Sequence, residues 1–288
     1  MNTISCPICA STSKPDPQAH AQLSLHAAPK KYTITRCTGC GFRWMTPYPV
    51  PSDYQMIYGH NYYESEQEGG FSYRSDKQEL IPCYAEIIDR FRTFAIRERL
   101  LDIGCGTGDF LTAAHQGGIS GEGVEPSEYA ANIAKEKMLS VTQGLLSDIV
   151  KSQKVFAAAH CSHVLEHVPD AHTFMAELNS VLEPGAPLYI EVPLQIDGIL
   201  DWMNRLRQQH RKYSDFSIHH HYFFTPDALL RLLNTHGFEV ISLTTFLPCR
   251  RTRRRTTMRK LALQSLLWAA DRLGQRGDVI SVWARRGK

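Results

Sequence analysis

Residues 101–110 have the sequence LDIGCGTGDF, and this stretch decides the fold. It predicts a buried strand that turns over three alternating glycines into a helix. Gly104 and Gly106 allow positive φ angles and a close approach of the backbone to a ligand, while Gly108 allows the helix to pack closely on the sheet. A dinucleotide fingerprint would place its third glycine at position 109, where this chain has Asp109. The turn therefore predicts a nucleotide-like ligand, with a spacing that departs from the dinucleotide pattern.

The segments that follow add a carboxylate and a histidine-rich loop. The strand-like segment 121–125 ends in Glu125, and a carboxylate at the tip of a second strand can accept hydrogen bonds from two ribose hydroxyls. A short apolar strand over 155–159 leads into HCSHVLEHVPD at 160–170. After a predicted helix, a Pro-Gly turn at 184–185 precedes another apolar strand.

In this order, the glycine stretch, Glu125, the VLEHVPD segment and the Pro-Gly turn resemble the class I S-adenosylmethionine-dependent methyltransferases. The resemblance covers residues 99–245 and the terminal strand at 279–284. It implies an α/β fold, in which a Rossmann-like seven-stranded sheet has helices on both faces and an antiparallel last hairpin. It also implies methyl transfer from S-adenosylmethionine. The family often has Phe-Asp at the start of its fourth strand, whereas this chain has Phe156-Ala157.

The resemblance further implies a set of cofactor contacts around the glycine loop and the strand ends. Tyr62 and Tyr63, in the connector before the loop, are candidates for a lid over the cofactor. An aromatic ring near the sulfonium would gain about 0.5–2 kcal/mol from a cation–π interaction. Simple packing of the connector is the alternative. The residues expected to bind the cofactor are Asp102, Gly104, Gly106, Gly108, Glu125, Pro126, Gly144, Leu145, Cys161, Ser162, His163 and Tyr63.

Length and composition predict an enzyme-sized domain with an additional module. The chain has 288 residues, of which 43% are hydrophobic, and its formal net charge is +3. The sequence has no secretory leader and no apolar stretch of the about 18 residues that a membrane-spanning helix needs. We therefore expect a cytoplasmic protein, with a peripheral position at the inner face of the membrane as an alternative.

Two CxxC pairs predict a structural zinc site near the start of the chain. Cys6 and Cys9 form one pair, and Cys37 and Cys40 form the other. Each pair can present two thiolates to one tetrahedral ion, as in a zinc ribbon. Redox or disulfide pairs are the alternative, although a reducing cytosol disfavours disulfides. The intervening segment contains His20 and His26, which would be substituted ligands or, in the plainer interpretation, part of a solvated loop.

The predicted organisation has three parts. Residues 1–48 form the zinc ribbon, 49–98 the connector and lid helix, and 99–288 the S-adenosylmethionine-binding methyltransferase domain. The segment 250–260, RRTRRRTTMRK, is a basic insertion in the last part. Such a segment can bind an anionic membrane surface, a phosphorylated substrate or RNA phosphates. A solvated loop is the alternative.

Two histidine clusters fall at the expected carboxyl ends of the strands, where open α/β sheets bind their ligands. One follows the fourth strand and includes His167, and the other is residues 219–221. His221 is our candidate for the catalytic base, because HYFFTP at 221–226 resembles the substrate-binding insertion of sugar and surface-polysaccharide methyltransferases. Imidazole also titrates near neutral pH. The alternative is that one of the three consecutive histidines packs in the interior and the others are solvated. His167 is the second candidate, with a structural or cofactor-binding role as its alternative.

We therefore predict an S-adenosylmethionine-dependent methyltransferase that O-methylates a sugar or glycan-like small molecule in carbohydrate biosynthesis. Two alternatives remain. An rRNA or tRNA methyltransferase would use the zinc ribbon and the arginine cluster to bind RNA. A non-catalytic scaffold would bind the cofactor without turnover, although the intact glycines and Glu125 argue against it.

Overall fold

The computed structural model describes residues 4–16, 23–24, 31–47, 81–196, 220–246, 277 and 279–288. Some sequence predictions fall outside these residues and stay predictions. They are the lid tyrosines Tyr62 and Tyr63, the basic segment 250–260, and the histidines His20, His26 and His219.

The described part of the chain forms two sheets and a set of helices. The strands are β1 (Ser13–Pro15), β2 (Leu23–Ser24), β3 (Lys31–Cys37), β4 (Arg43–Thr46), β5 (Leu100–Ile103), β6 (Gly121–Glu125), β7 (Val141–Gln143), β8 (Ala158–Ser162), β9 (Pro187–Pro193), β10 (Tyr222–Phe223), β11 (Phe238–Phe246) and β12 (Val279–Arg286). The helices are α1 (Ile81–Thr93), α2 (Asp109–Gln116), α3 (Glu128–Glu136), α4 (Leu146–Lys151), α5 (Ala171–Ser180) and α6 (Pro226–Thr235).

The larger sheet has seven strands in the order β11-β12-β9-β8-β5-β6-β7. The pairs from β9 to β7 are all parallel, whereas β12 is antiparallel to both β9 and β11. Parallel strands need crossover connections, and α2, α3 and α5 lie in such connections. The predicted Rossmann-like sheet with its antiparallel last hairpin is confirmed.

The helices of this domain begin at residues whose side chains cap them. The Ser127 hydroxyl accepts from the N–H of Ala130 at the start of α3, and the Asp170 carboxylate does the same for Thr173 in α5. Thr225 caps α6 with Pro226 in its first turn, as the sequence predicted. Each cap satisfies a backbone donor that the helix itself leaves unpaired.

The smaller sheet belongs to the cysteine-rich module and has the order β1-β3-β4-β10, with β2 paired to β3. Its pairs are antiparallel. Strand β10 comes from the C-terminal half of the chain, where Tyr222 lies opposite Trp44 and Phe223 opposite Arg43. A segment predicted to lie in the methyltransferase domain therefore completes the sheet of the module.

A cluster of aromatic side chains packs between the module and the main domain. The Phe42 ring lies 5.9 Å from Trp44, 5.4 Å from Tyr222 and 5.0 Å from Phe224, measured between ring centroids. These rings are buried and belong to one apolar core with the helices and strands of the larger domain. Burial of large rings stabilises such contacts beyond their area alone. The module is therefore held to the domain by packing as well as by the chain.

Candidate active site

The glycine loop between β5 and α2 is shaped by residues that cannot carry a side chain. Gly104 has φ +68, and a Cβ placed there would lie 2.4 Å from Cγ2 of Val164. Gly108 has φ +78, and its Cβ would lie 2.3 Å from Cδ1 of Leu139. Both positions combine a left-handed backbone with close packing, which only glycine tolerates. The loop therefore packs between Leu139, which follows α3, and Val164, which follows β8.

Glu125 lies at the end of β6, directly beside this loop. Its Oε2 accepts from the N–H of Gly106 at 2.9 Å, and its Oε1 accepts from the N–H of Ser127 at 2.8 Å. The carboxylate is 4% exposed. Each carboxylate oxygen has a further lone pair for a hydroxyl donor. The arrangement fits a ribose diol held between the glycine loop and the end of β6.

Two further predicted cofactor residues lie beside Glu125, at the end of β7. The N–H of Gly144 donates to the carbonyl of Glu125 at 3.0 Å. Gly144 has φ +154, and the next residue, Leu145, is exposed. The structure therefore brings Gly144 and Leu145 to the same edge of the sheet as the glycine loop, with Pro126 exposed nearby in sequence.

Asp102 is buried under the glycine loop. Its Oδ1 lies 2.7 Å from Nδ1 of His160. The His160 ring stacks on the rings of Phe110 and Tyr189, with centroid distances of 3.6 Å and 5.6 Å. This buried pair ties β5 to β8 below the loop. A direct cofactor contact of Asp102 stays a prediction.

Cys161 and Ser162 end β8, where the resemblance implies further cofactor contacts. Cys161 is fully buried, and burial raises the pKa of its thiol well above the ordinary value. The thiol therefore stays protonated, consistent with a packing role. Ser162 is half-buried and precedes His163.

Three histidines converge on the buried carboxylate of Glu166. Its Oε1 lies 3.3 Å from Nδ1 of His163, 3.7 Å from Nε2 of His167 and 3.9 Å from Nε2 of His220. The Glu166 side chain is 0% exposed. We call these four residues the Glu166 cluster. It joins the loop after β8 to the segment before β10.

His163 has carboxylates on both ring nitrogens. Its Nε2 lies 3.3 Å from Oε1 of Glu191, and the other oxygen of Glu191 accepts from the Tyr189 hydroxyl at 2.5 Å. Desolvation opposes a charge on His163, but hydrogen bonds to Glu166 and Glu191 outweigh it and raise the pKa of the imidazole to about 10. At neutral pH, His163 is therefore a cation that bridges two carboxylates.

His221 lies in a different environment from its neighbour His220. Its side chain is 1% exposed, its N–H donates to the carbonyl of Glu166, and its carbonyl accepts from the N–H of Met45. Successive side chains of an extended segment point to opposite sides, so His220 faces the cluster while His221 faces the interior. The base role that the sequence favoured for His221 stays a prediction.

Sequence reasoning missed His220 and Gln195 as site residues. Nδ1 of His220 lies 2.9 Å from Oε1 of Gln195, which follows β9. The three consecutive histidines were visible in the sequence. Which of them faces the cluster depends on the pairing of β10 with β4, and that pairing leaves no local pattern in the sequence.

The four cysteines of the two CxxC pairs meet at one point. Their Sγ atoms all lie within 4.8 Å of one another, with Cys6 and Cys40 3.8 Å apart and Cys9 and Cys37 3.5 Å apart. Four convergent sulfur ligands are the donor set of a structural zinc ion.

Backbone N–H groups point at these sulfur atoms. Ile8 donates to Sγ of Cys6 at 3.4 Å, and Gly39 and Cys40 donate to Sγ of Cys37 at 3.2 Å and 3.4 Å. The hydrogen bond between Cys6 and Cys40 lowers the pKa of the Cys6 thiol to about 5 and raises the pKa of the Cys40 thiol, so that one of the two is favoured as thiolate. Donors of this kind stabilise thiolate, the form that binds metal.

A family model described as a methyltransferase domain matches residues 73–243. The chain belongs to this methyltransferase family. The match contains the glycine loop, Glu125 and all four residues of the Glu166 cluster. The chain therefore contains a methyltransferase domain. Its glycine cradle and its Glu125 carboxylate fit S-adenosylmethionine as the methyl donor.

This methyltransferase is similar to curated enzymes over part of its length. It is 31% identical over 120 residues to the ubiquinone biosynthesis O-methyltransferase of Saccharophagus degradans. The aligned region covers 38% of this chain and 50% of that protein. It is 20% identical over 218 residues to the C-methyltransferase NovU of Streptomyces niveus, which covers 74% of this chain and 47% of that protein. The chain spans about half the length of the curated relatives it matches.

Solved structures share the fold of the methyltransferase. The magnesium protoporphyrin IX methyltransferase of Synechocystis PCC 6803, with bound SAH, is 14% identical with a TM-score of 0.52, covering 81% of this chain and 93% of that one. A SAM-dependent methyltransferase from Thermotoga maritima is 18% identical with a TM-score of 0.50. The similarity covers 75% of this chain and 96% of that one. Within the described ranges, no helix of this methyltransferase is both long and apolar enough to cross a membrane.

Proposed function

We propose that the protein transfers a methyl group to a hydroxyl oxygen of a small molecule that binds at the Glu166 cluster. The observation that carries this proposal is the convergence of His163, His167 and His220 on Oε1 of Glu166, at 3.3–3.9 Å. A hydroxyl is a weak nucleophile until it loses its proton. The imidazoles of His167 and His220 provide an acceptor for that proton, and together with the His163 cation and the carboxylates they form a polar rim for the substrate.

The position of the cluster supports the proposal. Residues 163–167 follow β8, whose neighbour β5 leads into the glycine loop. Val164 packs so closely on Gly104 that a Cβ there would clash with it. The cluster therefore adjoins the loop that holds the cofactor. Open α/β sheets bind their ligands at this edge.

The chemistry balances with one proton released. S-adenosylmethionine supplies the methyl group as a sulfonium, and its S–CH₃ bond breaks as the O–CH₃ bond forms, leaving the thioether S-adenosylhomocysteine. Glu125 and the glycine loop hold the donor, while the Glu166 cluster orients the acceptor oxygen and passes its proton to solvent. Alignment of the two reactants supplies much of the rate acceleration in such a transfer.

A sugar or glycan-like hydroxyl is the acceptor class that we propose. Carboxylates and imidazoles side by side, as in Glu166, Glu191 and His220, suit a molecule with several hydroxyl groups. Similarity to a protein named as an O-methyltransferase supports oxygen as the acceptor atom.

Methylation of carbon is the second candidate. The similarity to the C-methyltransferase NovU extends over 74% of this chain, further than the similarity to the O-methyltransferase. A proton on carbon next to a carbonyl would be removed by the same cluster. The two reactions differ in their product, since one gives a methoxy group and the other a new carbon–carbon bond.

We also propose that Cys6, Cys9, Cys37 and Cys40 hold one structural zinc ion. Four sulfur atoms within 4.8 Å and backbone donors directed at Cys6 and Cys37 support it. A zinc ion bound there would stabilise the fold of the module and take no part in the reaction.

The test is methyl transfer from isotopically labelled S-adenosylmethionine to two probes, a nucleotide-linked sugar and a catechol. We expect a labelled methoxy group in the NMR spectrum of the product. His167→Asn should lower turnover by about 10²-fold or more while the affinity for the cofactor is unchanged. His115→Asn, which changes an exposed histidine on α2, serves as the control. A labelled C-methyl product would favour the second candidate, and full turnover in His167→Asn would contradict the role of the cluster.

A further inference from the structure

Three members of the Glu166 cluster have the composition and spacing of a metal site. One carboxylate oxygen of Glu166, one ring nitrogen of His167 and one of His220 all lie within 4.8 Å of one another. The rings of His167 and His220 are 4.7 Å apart, nearly at right angles. Two histidines and one carboxylate are the protein ligands of many zinc and non-haem iron sites.

The distances are close to what a bound ion needs. Metal–ligand bonds of about 2.0–2.2 Å place neighbouring tetrahedral ligands roughly 3.3–3.6 Å apart. In this structure, Oε1 of Glu166 lies 3.7 Å from Nε2 of His167 and 3.9 Å from Nε2 of His220. Small side-chain rotations would close the remaining few tenths of an ångström.

One carboxylate oxygen of the cluster is also in a position to interact with a cation. Oε2 of Glu166 is buried and has no hydrogen-bond partner among the described residues. Burying a carboxylate oxygen in this state is costly unless something positive satisfies it. An ion held by both carboxylate oxygens of Glu166 would remove that cost.

Gln195 orients His220 as an outer partner of a metal ligand would. Oε1 of Gln195 lies 2.9 Å from Nδ1 of His220. An amide oxygen can only accept, so Nδ1 carries a hydrogen, and in the neutral imidazole the lone pair is then on Nε2, the nitrogen nearer Glu166. Histidine ligands of metals regularly donate their other N–H to such a partner.

We propose that Glu166, His167 and His220 bind a divalent first-row transition cation, with Zn²⁺ as the best match to the donor set. This site is separate from the four cysteines, whose sulfur donors belong to the module. Three protein ligands leave at least one coordination position open, as in catalytic zinc sites.

The proposal deepens the proposed function and rests on it for the place of the acceptor. An acceptor hydroxyl bound at the open position loses its proton to solvent more readily, because the cation stabilises the alkoxide. His167 and His220 then act as ligands of the cation. The oxygen keeps its electron pair, takes the methyl group and leaves as the methyl ether, and the cation is unchanged.

Zinc content after equilibrium dialysis against Zn²⁺ tests the proposal without any activity measurement. We expect two zinc ions per wild-type chain and one in each of Glu166→Gln and His220→Asn. The control His115→Asn should keep two. Wild-type protein with one zinc ion, or two ions retained in both cluster variants, would overturn the site.

A cobalt titration identifies which site is lost. Co²⁺ bound by four thiolates gives an intense thiolate-to-cobalt band, and a site of two imidazoles and a carboxylate gives only weak visible bands. Cobalt added to protein whose cysteine site is already filled should produce the weak bands in wild type and not in His167→Gln. His167→Gln changes a partly exposed residue, so it can be used as the cluster variant if Glu166→Gln does not fold. Weak bands that persist in His167→Gln would contradict the assignment.

The two proposals fail in different ways. One zinc ion in wild type together with low turnover in His167→Asn would reject the cation and keep the acceptor site. Two zinc ions in wild type together with normal turnover in His167→Asn would keep the cation and reject the acceptor site.

Discussion

The N–H of Met45 donates a hydrogen bond to the carbonyl of His221. This bond joins β4 of the cysteine module to the segment that carries His220, and the pairing of Tyr222 with Trp44 continues the contact. The hydroxyl of Thr225 adds a bond of 2.7 Å to the carbonyl of Cys40. The module therefore holds one wall of the candidate acceptor site in position.

Disruption of the module should therefore reach the acceptor site. Cys40→Ser removes one of the four proposed zinc ligands, and we expect it to loosen β4 and the segment at 220–223. The KM for the acceptor should rise about tenfold or more, while the affinity for the cofactor, which we expect to bind at the glycine loop and the end of β6, changes little. Steady-state kinetics and calorimetry measure the two quantities. If the affinity for the cofactor weakened as much as the KM for the acceptor rose, the substitution would have unfolded the protein generally, and this prediction would be wrong.

Loss of the carboxylate at the end of β6 should weaken cofactor binding. Glu125→Ala removes the acceptor proposed for the ribose hydroxyls, and a charge-assisted hydrogen bond of this kind contributes about 1.5–3 kcal/mol. Calorimetric titration with S-adenosylmethionine measures the effect. Glu128→Ala, an exposed neighbour in α3, is the control and should bind normally. An unchanged dissociation constant in folded Glu125→Ala would remove Glu125 from the cofactor site.

His221 and His220 should respond differently to substitution. His221 is buried, so His221→Ala leaves a cavity and should lower the free energy of unfolding by about 1–3 kcal/mol with little change in turnover per folded molecule. His220→Asn should lower turnover and leave stability nearly unchanged. Urea unfolding and turnover measured on the same samples separate the two. A hundredfold loss of turnover in stable His221→Ala would instead identify His221 as the base.

The pair His172 and His236 should make stability depend on pH. Nδ1 of His172 lies 2.8 Å from Nε2 of His236, and burial, together with the nearby His172, lowers the pKa of His236 below its ordinary value. The unfolded chain therefore binds a proton more readily than the folded one. Stability is complete above about pH 6.5 and falls as the pH drops below that value toward the folded pKa.

Urea unfolding between pH 5 and pH 8 tests this dependence. His236→Gln should flatten the decline on the acidic side, and His115→Asn, on an exposed surface, should leave it as in wild type. If the stability of His236→Gln falls at acidic pH as much as that of wild type, the pH dependence comes from other groups.

The sequence predicted those parts of the molecule that local patterns determine. The glycine loop needs positive φ at Gly104 and Gly108, so its residues are recognisable directly. Glu125 ends a short strand at the edge where open α/β sheets bind their ligands, and the CxxC pairs have the spacing of metal ligands. The helix start at Thr225 and Pro226 is equally local.

The acceptor site depended on contacts between distant segments. Because β10 pairs with β4, His220 faces Glu166 and His221 is buried. Neither strand contains a local sequence pattern from which this pairing could be predicted. Gln195 reaches His220 from the end of β9. The buried ion pair of Arg43 with Asp16 depends in the same way on how the module folds.

The most direct test of the central claim is the rate of a single turnover in Glu166→Gln with S-adenosylmethionine already bound. The substitution keeps the size of the side chain and removes the charge on which the three histidines converge. We expect methyl transfer to the acceptor to slow by about 10²-fold or more, with an unchanged dissociation constant for the cofactor. A wild-type rate in folded Glu166→Gln would contradict the claim that the acceptor is activated at the Glu166 cluster.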